Sequence, residues 1–319
     1  MSERVLITGA NGLIGRQLQR QLAYTSELTV IATDLSAPSF ASDHPDLVSD
    51  ALDVCDTSQI KQLFTKHRPT AVVHLASIVT PGANTTRDQA YQVDVVGTQN
   101  IIQACIEHQC KRLVVTSSGA AYGYHADNPL PLKEHHELRG NREFSYAAHK
   151  RLVEELLSQA RDQHPQLEQV ILRVGTVLGE SVDNQITALF HKRRLLAVHG
   201  HDSPFVFIWD EDLADILSRA VAQSPTGVFN VCGDGWLSIE QLAHLLGKQT
   251  LALPAWLLSA LLAVGSSLRI SRYGPEQLCF LQFRPVLSND KLKTHFPYTP
   301  RHSSKQAFNR WAKHVGLIS

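Results

Sequence analysis

Val5-Leu6-Ile7-Thr8-Gly9-Ala10-Asn11-Gly12-Leu13-Ile14-Gly15 is the stretch that decides how this chain folds. An apolar, β-branched run passes straight into three glycines. A helical pattern follows, with Ile14, Leu18 and Leu22 on one face. Strand, glycine turn and helix in that order is the context in which spaced glycines receive a dinucleotide. Gly9 allows the tight turn. Gly12 has no side chain to hold a pyrophosphate away from the backbone, and Gly15 lets the helix lie close to the strand. The helix N-terminus then offers free N–H groups and a positive dipole end. The spacing is G-x-x-G-x-x-G rather than the commoner G-x-G-x-x-G.

Working outward, the next apolar strand, Leu28 to Ala32, ends at Asp34. A dinucleotide fold places an acidic residue about 20 positions after the glycines, where it accepts from the ribose hydroxyls. A carboxylate there repels the extra phosphate of NADP, so the reading is NAD rather than NADP. Gly9, Asn11, Gly12, Leu13, Ile14 and Asp34 are the candidate contacts.

Composition narrows the function classes. The 319 residues are 43% hydrophobic, enough for a full core, and carry 30 Lys+Arg against 30 Asp+Glu. A net charge of zero gives no electrostatic footprint for nucleic acid. Met1 to Arg4 lead directly into the first strand, which predicts no signal peptide. Five scattered cysteines without a C-x-x-C pair predict a reduced, cytoplasmic protein with no zinc site. The pairs His135/His136 and His199/His201 lack metal-ligand spacing and read as solvated loop residues. The apolar run Leu251 to Val264 is too short to span a bilayer and contains Pro254. It reads as a buried helix, a pocket wall or an oligomer contact, with shallow membrane association the lesser alternative.

Further strands are expected at Leu47-Val48 with Ala51 to Val54, at Ala71 to Ser77, Arg112 to Ser117, Val170 to Val174, Phe205 to Trp209 and Val228 to Val231. Helices are expected after Thr57 as N-cap, over Ala90 to His108, Tyr146 to Ala160 and Asp210 to Val221, and after Ser238 as cap. Repeated alternation argues a doubly wound α/β fold with a parallel Rossmann sheet. Residues 1–175 form the dinucleotide-binding domain. Residues 176–319 form a smaller, mostly helical substrate lobe, some of whose segments return to the sheet.

Tyr146-Ala147-Ala148-His149-Lys150 places a tyrosine and a lysine four apart on one helix face. A phenol with a pKa of about 10 is a poor base near neutrality. An ammonium beside it favours the phenolate and is expected to lower that value. The strand before this helix ends in Thr116-Ser117-Ser118-Gly119. Strand carboxyl ends are where open α/β sheets bind ligands, and a serine hydroxyl there can steady a developing oxyanion.

With these motifs in place the chain resembles an extended or atypical short-chain dehydrogenase/reductase of the NAD-dependent epimerase/dehydratase type. The matching residues run in order: Thr8-Gly9-x-x-Gly12-x-x-Gly15, Asp34, Asp53-Val54, His74-Leu75-Ala76, Gly97-Thr98-x-Asn100, Ser117-Ser118 leading to Tyr122-Gly123, Tyr146-x-x-x-Lys150, Leu172-Arg173, Asp212-Leu213-Ala214 and Asn230-Val231. The resemblance implies that Tyr146 is the acid/base. Lys150 would bond the nicotinamide ribose, and Ser118 would hold the substrate oxygen. It also implies that Asp53 and Val54 flank the adenine, that Leu75, Ala76 and Ser77 line the dinucleotide, and that Val174 to Val177 lie by the nicotinamide. A homodimer is implied by resemblance only.

Three departures bear on substrate. Thr176 stands where sugar-nucleotide members carry Asn, Phe205 stands at about the position of their diphosphate-gripping Arg, and Asp94 replaces a frequent Asn. Loss of a bidentate phosphate ligand is not conservative. The expectation is therefore an NAD(H)-dependent oxidoreductase acting on a secondary alcohol or ketone less phosphorylated than a nucleotide sugar. Phe205, Phe207, Trp209, Trp236 and Trp256 are the candidates for an apolar pocket. The alternatives are a nucleotide-sugar epimerase or dehydratase, and a non-catalytic NAD-binding regulator or assembly protein.

Overall fold

The computed structural model describes residues 3–23, 28–39, 46–79, 82, 85–222, 225–267, 274–275 and 277–318. The chain opens with β1 (Glu3–Thr8), α1 (Leu13–Leu22), β2 (Leu28–Asp34), β3 (Leu47–Ala51), α2 (Thr57–His67) and β4 (Ala71–His74). Then come α3 (Arg87–Tyr91), a π-helical turn (Gln92–Val96), α4 (Gly97–Glu107), β5 (Arg112–Ser118), a 3-10 turn (Gly119–Tyr122), α5 (Ser145–Gln163) and β6 (Glu168–Val174). The later part holds β7 (Thr176–Leu178), α6 (Gln185–Phe190), β8 (Arg194–Val198), β9 (Phe207–Trp209), α7 (Asp210–Ala222), β10 (Gly227–Val231) and α8 (Ile239–Leu245). It ends with β11 (Gln249–Leu253), α9 (Ala255–Ser267), α10 (Gln277–Gln282), α11 (Asp290–Thr294) and α12 (Ser304–His314).

Seven parallel strands form the central sheet in the order β10-β6-β5-β4-β1-β2-β3. Successive strand residues face opposite sides, so each β-branched run feeds two cores. Val5, Ile7, Val73, Val114 and Leu172 pack on one face with Leu18 of α1 and Leu213 of α7. Leu6, Val72, Val115 and Ile171 pack on the other, with Phe64, Ile101 and Leu157 from α2, α4 and α5. Burial on both faces is what continuous apolar strands require. Each such side chain contributes about 1.5–3 kcal/mol of hydrophobic stabilisation.

The strand order reverses between β1 and β4, and α1 leaves β1 at that point. A side chain at Gly15 would put its Cβ 2.5 Å from the Gly9 carbonyl oxygen, and one at Gly9, where φ is +70°, would meet the Ala76 nitrogen at 2.7 Å. Helix, turn and the end of β4 are therefore in backbone contact.

The later segments do not form a wholly separate body. β10 pairs with β6 in the main sheet, and α7 packs on α1. The lobe proper is built on β8–β11 and β7–β9 pairs and an aromatic cluster of Phe190, Phe205, Phe207, Trp209, Phe308 and Trp311.

Several local expectations need correction. The cap of α2 is Asp56, whose carboxylate accepts from the Ser58 and Gln59 amides, and Thr57 is already helical. The helix expected over 90–108 begins at Arg87 and contains the π turn. β4 stops at His74, because the backbone beyond it turns against Gly9. Phe205, Phe207 and Trp209 line no pocket wall, being core residues at most 1% exposed. Trp256, by contrast, is 72% exposed. The run 251–264 is part strand and part helix rather than one buried helix, with Leu261 and Val264 also exposed. No helix among the described residues is long and apolar enough to cross a membrane.

Gly15→Ala forces a methyl group into the Gly9 carbonyl. Overpacking of this kind costs about 1–3 kcal/mol. Urea unfolding should show a loss in that range, together with weakened NAD binding.

Candidate active site

The sequence-selected residues converge along the carboxyl edge of the sheet. Gly9 follows β1, Asp34 ends β2, Leu75 to Ser77 follow β4, Ser118 ends β5 and Val174 ends β6. Asp53 and Val54 lie just past β3, with the Asp53 carboxylate accepting from the Cys55 amide. The Val54 carbonyl accepts from Asn100 Nδ2 at 3.0 Å. Ile14, Leu75 and Val177 are partly buried at the margin of one core cluster and form an apolar rim.

The glycine turn suits an anion. Helix α1 begins at Gly12 with no side-chain cap and no acidic residue in its first turn. In contrast, α2, α3, α8 and α12 all carry side-chain caps. An uncapped helix start leaves N–H donors to be satisfied by a ligand. Asp34 accepts from the Asn11 amide at 2.9 Å and from the Leu35 amide at 2.8 Å. A carboxylate has about four lone-pair sites, so acceptor capacity is left for ribose hydroxyls.

A chain of buried side chains fastens this edge from below. Thr8 Oγ1 lies 2.8 Å from His74 Nδ1, and His74 Nε2 lies 3.0 Å from Thr98 Oγ1. Thr98 donates to the Asp94 carbonyl at 2.6 Å. Thr98 must then accept from His74 Nε2–H, which leaves Nδ1 to accept from Thr8. That tautomer is assigned from the network. Burial, reinforced by the Lys150 charge, lowers the His74 pKa to about 3, so the ring is neutral.

The catalytic candidates stand at the β5 end. Tyr146 and Lys150 occupy the first turns of α5, and the Lys150 Nζ is 5.6 Å from the centre of the Tyr146 ring. Lys150 donates to the Thr116 carbonyl at 3.0 Å. The Tyr146 hydroxyl is hydrogen-bonded to the Ser118 side chain. Ser118 also accepts from the Ala120 amide. The three candidates are thus in one place. Their electrostatics depart from expectation. Burial pushes the Tyr146 phenol up to about 12; the Ser118 bond opposes this and Asp94 adds to it. Burial lowers the Lys150 pKa, against the pull of Asp94 and Glu154. Desolvation here outweighs the lysine effect read from the motif.

A model of the NAD dependent epimerase/dehydratase family matches residues 5–232. The chain belongs to that family. It is therefore an NAD-dependent enzyme of the extended short-chain dehydrogenase/reductase type, and the uncapped α1, Gly12 and Asp34 fit the cofactor. A Mycobacterium tuberculosis protein described only as uncharacterized is 23% identical over 98% of this chain and 84% of its own length. The UDP-glucose 4-epimerase of Caenorhabditis elegans is 26% identical over 55% of this chain and 54% of its own. In fold, the chain is similar to a Thermotoga maritima UDP-glucose 4-epimerase solved with UDP-glucose, with a TM-score of 0.75, 18% identity and 98% of each chain covered.

Two features of this family member escaped the sequence. The first is a buried network behind the catalytic strand ends. Arg173 grips Glu154 through both carboxylate oxygens at 2.7–3.0 Å and donates to the Tyr122 hydroxyl at 2.7 Å. Ser117 donates to the same carboxylate.

The second is Arg284. Its guanidinium lies 3.9 Å over the Phe205 ring and 4.6 Å over Phe280. Its Nε has no hydrogen-bond partner among the described residues, and one long bond of 3.4 Å runs from NH1 to the Leu281 carbonyl. Burial lowers its pKa to about 9, opposed by Tyr124. It forms no ion pair among the described residues. Arg284 lines a cavity of about 320 Å³ together with His125, Asn128, His201, Asp202 and Trp236. His201 is a half-buried loop residue on the wall of this cavity, with Gln282 2.8 Å from its Nε2. Of the aromatic candidates only Trp236 faces this cavity. Cys279, Phe280 and Phe283 share one apolar cluster with Tyr124 and Tyr146.

NAD should bind more tightly than NADP by about tenfold, or about 1.4 kcal/mol. Asp34→Asn should close most of that gap, as read by titrating each dinucleotide against intrinsic fluorescence.

Proposed function

We propose that this enzyme moves a hydride between NAD and a secondary carbinol of a substrate that carries an anionic group. Bound NAD supplies the hydride acceptor and, reduced, the donor. Tyr146 takes the hydroxyl proton when the carbinol is oxidised and returns it to the carbonyl oxygen when that is reduced. Ser118, already hydrogen-bonded to Tyr146, holds the same oxygen. Lys150, fixed to the Thr116 carbonyl, keeps a positive charge beside the phenol. The reading rests above all on the meeting of Ser118, Tyr146 and Lys150 at the carboxyl end of β5.

The anionic group is assigned to Arg284. Arg284 is half-buried with its Nε enclosed and unpartnered among the described residues, and an anion in the adjoining cavity would accept from the guanidinium donors left open. Phe205 stands at about the position of the family's diphosphate-gripping arginine, and Arg284 lies directly over it. The charge is thus restored in space by a residue distant in sequence. This supports a phosphorylated substrate more strongly than the bare sequence did. It also keeps a second reading in view, in which the hydride is returned within one turnover, as in an epimerase or dehydratase.

Incubation with NAD and UDP-glucose, followed at the NADH absorbance and by sugar analysis, separates the two. Free NADH supports net oxidation. An altered sugar without NADH supports internal return. No reaction with UDP-glucose or other phosphorylated carbinols, at normal NAD binding, would overturn both.

Tyr146→Phe should lower kcat by about 10²–10⁴-fold while NAD affinity is kept. Because the phenol stays protonated at neutral pH, the oxidative direction should accelerate from about pH 7 to about pH 9 and the reductive direction should not. Arg284→Leu should raise KM by at least about tenfold with a smaller change in kcat.

A further inference from the structure

Asp94 and His149 have no part in the chemistry just described, yet both are almost wholly buried, with side chains 0% and 4% exposed. Asp94 lies in the π turn, where the extra residue per turn re-aims a side chain. Its carboxylate is fully engaged. One oxygen accepts from Ser77 Oγ and from the Ile78 amide, both at 2.8 Å, and the other lies 2.9 Å from His149 Nδ1. Ser77 ends the Leu75–Ser77 stretch proposed to line the dinucleotide after β4, and Ile78 follows it directly. His149 lies on α5 immediately before Lys150 and three residues after Tyr146. One carboxylate therefore joins the cofactor loop to the helix that carries the catalytic pair.

The groups around it are few and defined. Tyr91 of α3 meets the His149 ring edge-on at 5.6 Å. From β4, His74 is neutral. From α5 itself come the Lys150 ammonium, the Tyr146 phenol and Glu154, and Glu154 is already held by Arg173 of β6. Burial would raise the Asp94 carboxyl, but the His149 hydrogen bond, the Lys150 charge and the bonds from Ile78 and Ser77 together hold it below the ordinary range. Asp94 is therefore a carboxylate at working pH, and its field acts on both members of the catalytic pair. It favours the Lys150 ammonium and disfavours the Tyr146 phenolate.

We propose that Asp94 and His149 act as one positioning pair, with His149 as the donor that holds the carboxylate and Asp94 as the buried charge that locks the Ser77–Ile78 loop to α5, the helix that bears Tyr146 and Lys150. The proposal rests on the catalytic reading of Tyr146 and Lys150 given above. The carboxylate at 94 and the imidazole at 149 meet at 2.9 Å with both side chains buried, so the pair works as a unit.

The test needs no substrate. In the NAD-loaded protein, the ultraviolet phenolate signal of Tyr146 is isolated as the difference between a given background and the same background carrying Tyr146→Phe, recorded by rapid pH jump. Asp94→Asn keeps an acceptor for Ser77 and Ile78, removes the charge, and turns an amide NH2 toward His149, whose ring must then accept at Nδ1. It should lower the Tyr146 ionisation midpoint by about one pH unit, a tenfold change in the ionisation constant. His149→Asn keeps a donor near the Nδ1 position and should hold NAD affinity within about twofold, whereas His149→Leu should weaken it by about tenfold. Ser77→Ala, which removes a single bond at the other end, should weaken NAD by a few-fold and serves if the Leu variant fails to fold.

An unchanged midpoint in folded Asp94→Asn would overturn the charge role. Equal NAD affinity for wild type, His149→Leu and Ser77→Ala would overturn the positioning role. If instead the catalytic reading is at fault, Tyr146→Phe would leave turnover intact while the midpoint shift persisted.

Discussion

Two stretches of backbone meet at Gly9 more closely than any side chain would allow, and the site is built from that meeting. The contact of Gly9 with the Ala76 amide and of Gly15 with the Gly9 carbonyl puts the start of α1 beside the end of β4. The dinucleotide edge therefore lies at the point where the strand order reverses. Sterics alone would leave the polar groups there unsatisfied. The Thr8–His74–Thr98 chain satisfies them and reaches onward to the π turn. Buried polar networks rigidify a site only when every member is bonded, and these members are.

Burial then sorts the ionisable groups by role. His74, enclosed among hydroxyls, is neutral and serves as a hydrogen-bond spacer. Asp94, given four favourable neighbours, stays charged. Tyr146, half enclosed by Phe280 and Tyr124, remains a phenol. The same desolvation acts on all three. The partners each finds decide which form survives.

The fold was legible because its signals are local. Strand runs such as Val5 to Thr8 and Val170 to Val174, and the glycine spacing, need no partner to be recognised. The convergence of Ser118, Tyr146 and Lys150 was legible for the same reason, each member lying at a strand end or helix start. What escaped depends on long-range contact. Asp94 stood out as a departure, but its partner is 55 positions away. Arg284 gave no sign of its place, since its stacking on Phe205 links residues 79 apart in sequence. The aromatic residues misled because a core and a pocket wall have the same composition. Only the packing showed that Phe207 and Trp209 are interior.

The path of the chain through the later half has a mechanical consequence. After leaving the sheet at β6, the backbone returns to lay α7 on α1 and β10 on β6 before departing again for α8. Motion of two bodies about a hinge needs a few linking residues that can absorb the rotation. Here the two parts are stitched together at several crossings. Rotation of one part about a single hinge would have to break both the β6–β10 pairing and the α1–α7 contact.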